Sequence, residues 1–214
     1  AADVDASLAT GSPAFQNPHY LPAAAVRLGG QAGGGYQYPA HTYTQTFMQH
    51  PGGTDCTDCH DPVATEHTFL IEDNFAFCQT CHGSANEARD IRSIFHAADT
   101  DGDGDAGEPV AEELATLSED LLAEMQTIEP LCYASGAYPY WFTDGDADGA
   151  CSAAEAVFAN RFLAWNEPLL KAAFNFQLHA KEPGAWAHNY NYMAQLLIDS
   201  IEDCGGDVGG YSRP

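Results

Sequence analysis

The chain has 214 residues, of which 45% are apolar, so it is long enough for one large domain or two small ones and has a core that need not rely on disulfides alone. Seven lysines and arginines against 31 aspartates and glutamates give a formal charge of -24, which repels nucleic acid and anionic lipid and excludes both as expected partners. No apolar run approaches the roughly 18 residues that a membrane span requires, so no membrane span is expected.

In chain order, the opening AADVDA reads as the residue of signal-peptidase cleavage, and the expectation is an exported protein, periplasmic or extracellular. Residues 1–53 are rich in Gly, Pro, Ala and Gln, with GGQAGGGYQYP at 29–39, and show neither a helical nor an alternating period; an extended Gly- and aromatic-rich arm, or a loop region wrapped on something else, is expected. Phe15, Tyr20, Tyr36, Tyr38, Tyr43 and Phe47 argue against disorder. They need a surface to cover, a haem face or a neighbouring subunit.

Residues 54–98 carry Cys-x-x-Cys-His twice, as Cys56, Cys59, His60 and as Cys78, Cys81, His82. Two thiols for thioether bonds to the porphyrin vinyls and an adjacent imidazole for iron are what haem c needs within one turn of chain. A four-cysteine zinc site is the bland alternative. Two copies each followed directly by His favour two haems c, with His60 and His82 as proximal ligands. Only three Met are present, against seven further His, so a second His on each iron is expected. Short loop closure favours His50 and His67, with His188 and His41 in reserve. Ser84 and Glu87 form a capping-box pattern, and Ile91, Ile94 and Phe95 share a face, so a helix is expected over 84–98.

Residues 99–204 read as a small helical domain with two acidic loops, followed by a tail at 205–214. In the first loop Asp99, Asp101, Asp103 and Asp105 are calcium-ligand candidates, and the closing carboxylate is open between Glu108 and Glu112. Pro109 to Ile128 has the apolar stripe of a helix. The second loop, Asp144 to Glu155, fits the twelve-residue calcium pattern: Asp144, Asp146, Asp148, Gly149 at the turn, the Ala150 carbonyl, Ser152, and Glu155 to close. Helices are expected near 152–165, 167–180 and 185–202. Among Cys132, Cys151 and Cys204, a Cys132–Cys151 disulfide is preferred, with Cys132–Cys204 the rival. The expected fold is thus mainly α with extensive irregular chain: a covalent haem-binding segment plus a small helical domain with EF-hand-like calcium loops, holding two haems c and one or two Ca2+.

LLKAAFNFQ at 169–177, KEPGAWAHNYNYMAQLLIDSIED at 181–203, YPYWFTDGDADG at 138–149 and DTDGDGDAGE at 99–108 resemble blocks of the exported multihaem c-type cytochromes of metal-respiring bacteria. The resemblance covers roughly residues 41–204 and implies electron transfer across or outside the cell envelope through closely spaced bis-His haems, with no enzymatic activity. It implies redox proteins or extracellular acceptors as partners. Two motifs are few for that family, so a homo-oligomer or conducting filament, bridged by the arm, is a further expectation. A haem enzyme with one open iron site, of peroxidase or nitrogen-oxide reductase type, is the alternative, and a calcium-dependent binding module a third reading.

Overall fold

The computed structural model describes residues 2–47, 55–91 and 98–214. Its framework is three helices. Helix α5 (Val110–Ile128) starts after Pro109 and buries Leu114, Leu117, Leu121 and Met125, a three-and-four spacing that makes one apolar stripe. Helix α6 (Glu167–Lys181) is capped by Asn166, whose side-chain oxygen accepts the Leu169 amide at 3.1 Å, and is buried along most of its length. Helix α7 (Ala185–Cys204) stops at Gly205, which takes the left-handed conformation (φ 101°) that ends helices cheaply. Helices α5 and α6 both pack on α7, and Leu169, Leu170, Met193, Leu196 and Leu197 form the centre of the core.

Between α5 and α6 a hairpin of β1 (Leu131–Tyr133) and β2 (Trp141–Thr143) pairs Cys132 with Phe142, and Trp141 is buried against Phe176 and Trp165. The Cys132–Cys151 disulfide ties this hairpin to the second acidic loop, the preferred pairing of the sequence reading. The helix expected over 152–165 is absent. Local polar bonds outcompete it: the Ser152 hydroxyl donates to Glu155 (2.7 Å), Asn160 donates to the carbonyls of Thr143 and Glu155, and Arg161 bridges to Phe142. A single 3-10 turn, Phe158–Asn160, remains.

The helix expected over 84–98 is likewise not formed from 84 to 91, where the chain makes a 3-10 turn at Ala88–Asp90. Asp90, not the Ser84–Glu87 pair, organises it by accepting the amides of Asn86 (2.8 Å) and Glu87 (3.1 Å). Residues 92–97, and with them Ile94 and Phe95, lie outside the described residues.

The N-terminal segment is the larger surprise. It contains α1 (Ala2–Ala9) and α2 (Ala23–Leu28), and the surface its aromatics cover is this chain's own helices. Tyr36, Tyr38 and Tyr43 are buried with α6 and α7; the Tyr36 amide donates to Asn175 (2.7 Å) and the Tyr43 hydroxyl to Asp199 (2.6 Å). Gly35 permits the approach, since a Cβ there would lie 2.3 Å from Leu196 Cδ1. The close packing of the Gly-rich run shows no periodicity in sequence.

Candidate haem-binding site

Both Cys-x-x-Cys-His motifs fold into the same local shape. In α3 (Cys56–Cys59) and at the end of α4 (Phe75–Gln79) the histidine amide closes back on the first cysteine carbonyl: His60 to Cys56 at 2.8 Å and His82 to Cys78 at 2.9 Å. Residues three apart in such a turn share a face, so each pair of thiols points the same way. The first turn is set by Asp55, whose amide donates to Asp58 (2.9 Å). Burial pushes the thiols of Cys59 and Cys78 up, and the Asn74 side chain, just before α4, donates to the Cys59 carbonyl at 2.7 Å, tying the second motif's helix to the first motif.

The segment has almost no core of its own. No residue of α3, of the 3-10 turn Ile71–Asn74 or of α4 is buried, while Val63, Phe69, Leu70 and Phe77 are exposed. Apolar side chains left in water on a short, covalently equipped segment fit a large apolar cofactor laid against them. Arg27, at the last turn of α2, lies with its guanidinium 3.7 Å from Cys56 Sγ, a cation at the edge of the site.

One of the reserve axial candidates lies beside a motif histidine. The ring facing His60 is that of His188, on the first turn of α7, with centroids 6.2 Å apart and a 42° tilt. Two imidazoles on opposite faces of one metal, each at about 2.0 Å, put their centroids on the order of 6 Å apart. Both rings also have the correct nitrogen engaged elsewhere. His60 Nδ1 donates to the Phe69 carbonyl (2.7 Å) and His188 Nδ1 to Glu182 Oε1 (2.9 Å); since a carbonyl and a carboxylate only accept, both rings keep the Nε2 lone pair for a metal. The loop that brings Phe69 into place has left-handed backbone at Glu66, His67 and Phe69 (φ 49°, 68° and 59°), conformations costly for residues with a Cβ and held here by the contacts of Thr65, itself buried. His188 is aimed by a break in α7 at Asn189, whose side chain donates to the Arg27 and Gln45 carbonyls, and by Gly184, where a Cβ would lie 2.8 Å from His188 Cε1.

The other axial candidates fall elsewhere. His67 is exposed on the tight turn at 65–68. His41 lies between Asp199 and Glu202 (3.7 and 3.3 Å), away from the motifs. His50 lies outside the described residues. The sequence offers His188 only in reserve, because its distance from His60 is set by tertiary packing and not by spacing.

The acidic loops assemble part of the expected ligand sets. Asp101, Asp103 and Glu108 bring one oxygen each to a common point, and so do Asp99, Asp101 and Glu113, and Asp144, Asp146 and Glu155, each group within 4.8 Å. Glu112 is a correction: it is exposed, and Glu113, one residue on around α5, turns inward and accepts the amides of Thr100 and Asp101. Asp105 and Asp148 instead cap local turns at Gly107 and Ala150. Asp101 is 3% exposed and its Oδ2 accepts no hydrogen bond, while burial and the charges of Asp101, Asp103 and Glu113 push Glu108 up to about 7. Such a concentration of carboxylate suits a hard cation.

Comparison with known proteins places the motifs in a family context. A family model described as a doubled CXXCH motif matches residues 50–87. The C-type polyheme cytochrome OmcB of Geobacter sulfurreducens is 29% identical over 231 aligned positions that cover 91% of this chain and 28% of that protein. OmcC, a second C-type polyheme cytochrome of the same organism, is 29% identical over 91% of this chain and 27% of its own length. The chain therefore spans between a quarter and a third of the length of these relatives. No solved structure matches it.

Proposed function

We propose, on the multihaem c-type cytochrome kinship that the doubled motif and the shared identity support, that this chain is an electron-transfer unit of an exported cytochrome, carrying two haems c. Cys56 and Cys59 anchor one haem and Cys78 and Cys81 the other, with His60 and His82 as their proximal ligands. The observation that carries the reading is the His60–His188 pair, with ring centroids 6.2 Å apart at a 42° tilt and both Nδ1 atoms already committed. A bound haem supplies a one-electron iron couple; the chain's part is to hold that iron between two neutral imidazoles, which closes it to small ligands and keeps its geometry constant. That arrangement serves electron transfer and leaves no open position for peroxide or nitrogen oxides. The Asn74 bond to the Cys59 carbonyl, which joins the start of α4 to the first motif, supports close haem spacing, as a relay requires.

Calcium is the proposed occupant of the acidic loops, through Asp99, Asp101, Asp103, Glu108 and Glu113 in one and Asp144, Asp146 and Glu155 in the other. Its role is to staple the turns between the haem segment and α5 and behind the hairpin. Partners are redox proteins or acceptors outside the cytoplasm. Of the N-terminal aromatics that motivated a bridging arm, Tyr36, Tyr38 and Tyr43 are spent inside the molecule, while Tyr20 is exposed.

The test is spectroscopic. The matured holoprotein is expected to hold two haems per chain, low-spin in both oxidation states and inert to carbon monoxide. His188→Ala is expected to turn one haem high-spin and open it to carbon monoxide while leaving the other unchanged. Carbon monoxide binding to the wild type would move the assignment to a haem enzyme.

A further inference from the structure

Glu182 follows α6 directly and is 2% exposed. Its Oε1 accepts from His188 Nδ1 (2.9 Å) and from the Gly184 amide (3.2 Å), while its Oε2 is buried and accepts nothing. A carboxylate withdrawn from water costs several kcal/mol unless a positive charge or a full set of donors offsets it. Two other buried carboxylates have such an offset. Asp199 has the Arg213 guanidinium on both oxygens and the Tyr43 hydroxyl, and Glu113 takes two backbone amides. Glu182 has neither. The neighbouring Lys181 turns away, donating to Asn17 and to the Pro18 carbonyl and sitting over the rings of Tyr20 and Tyr140.

A glutamine would satisfy the Gly184 amide as well and cost less to bury. The acid is explained by what His188 does. We infer that Glu182 is the positioning residue of the axial imidazole: it fixes the proton on Nδ1, aims Nε2 at the iron, and makes His188 a stronger donor than a ring backed by a neutral acceptor. This rests on the reading of His188 as the sixth ligand of the haem anchored by His60. The two faces of that iron then differ by design, with a backbone carbonyl behind His60 and a buried anion behind His188. A stronger donor and a buried negative charge both stabilise the ferric state, so the electron added to form the ferrous state is held less tightly and the potential of this haem is lowered relative to its neighbour. An iron bound at His188 Nε2 would supply the positive charge that Glu182 lacks.

The experiment uses the full holoprotein, with Glu182→Gln, Glu182→Asp and His188→Ala, read by spectroelectrochemical titration and ferric electron paramagnetic resonance. Glu182→Gln is expected to raise one of the two potentials and to shift one low-spin signal, with the second haem untouched and both haems still low-spin. Glu182→Asp, which keeps the charge on a shorter stem, is expected to fall between. Unchanged potentials and signals in Glu182→Gln, together with a high-spin haem in His188→Ala, would overturn the role of Glu182 alone. Two low-spin haems in His188→Ala would remove the axial reading beneath it. Should the glutamine variant fail to accumulate, hyperfine-shifted NMR of the wild type decides: an Nδ1 proton of the axial ring protected from exchange supports the proposal, and a freely exchanging one overturns it.

Discussion

Two histidines at the α6–α7 corner differ in what their rings meet, and the difference separates stability from function. His188 has a carboxylate on Nδ1 and another imidazole opposite. His179 lines a pocket of about 170 Å³ with Arg89, Leu114 and Trp186, and burial, with the Arg89 charge adding to it, pushes its pKa down to about 4. A base whose pKa is lower folded than unfolded takes up more protons on unfolding at any pH between the two values. The folded state therefore loses stability as pH falls from about 6.5 towards 4. His179→Leu is expected to flatten that decline, as measured by urea midpoints at pH 7 and pH 5. If the variant and the wild type lose stability in parallel, His179 is not the group responsible. At this scale the sequence was informative only where residues are adjacent in the chain. His60 and His82 follow from the motif, whereas the choice between His67 and His188 depends on a turn that leaves one residue exposed and a kink that turns the other inward.

Elements were legible where periodicity is strong and opaque where side chains bond to their own backbone. Helices α5, α6 and α7 fall close to the expected ranges because each carries a stripe of large apolar residues between a Pro- or Asn-marked start and a clear stop. The stretch 152–165 has apolar residues too, but Ser152, Glu155 and Asn160 divert its backbone into loop closure. The same reasoning locates the acidic loops as stapling elements and predicts what weakens them. Asp101→Asn is expected to lower the number of terbium ions bound, read by sensitised luminescence, and to cancel part of the loss of melting temperature that chelator causes; Asp144→Asn acts on the second loop independently. Equal terbium binding in wild type and Asp101→Asn would disconnect Asp101 from any cation. The disulfide acts on the same loop from behind. Cys132 and Cys151 are separated by 19 residues. Replacing both with Ala is expected to cost about 3 kcal/mol in equilibrium unfolding, the usual figure for a loop of roughly that length. Cys204 cannot replace either partner readily, since burial and the charges of Asp203 and Glu124 push its thiol up to about 12 and keep it unreactive.

The molecule as a whole divides its stability unevenly. Residues 2–47 and 98–214 share one apolar core in which Val4, Val26 and the N-terminal tyrosines pack with α5, α6 and α7. Residues 55–91 contribute Ala85 and Ala88 at their far end and the buried Thr65, and otherwise expose their apolar side chains. Folding of that segment cannot be driven by burial of its own surface, so in the holoprotein the haems must act as its core. The consequence is a protein in which loss of cofactor loosens one region and spares the rest. With Cys56, Cys59, Cys78 and Cys81 all changed to Ala, so that no haem is attached, limited proteolysis is expected to cut first between residues 55 and 91. The fragment containing α5 to α7 should stay intact and helical by circular dichroism, with its Cys132–Cys151 bond formed. The holoprotein should resist cleavage at those same bonds under equal conditions. Equal resistance of the two forms across 55–91 would mean that the segment is held by contacts other than haem, and the exposed Phe69, Leu70 and Phe77 would then need a different explanation, such as a partner surface.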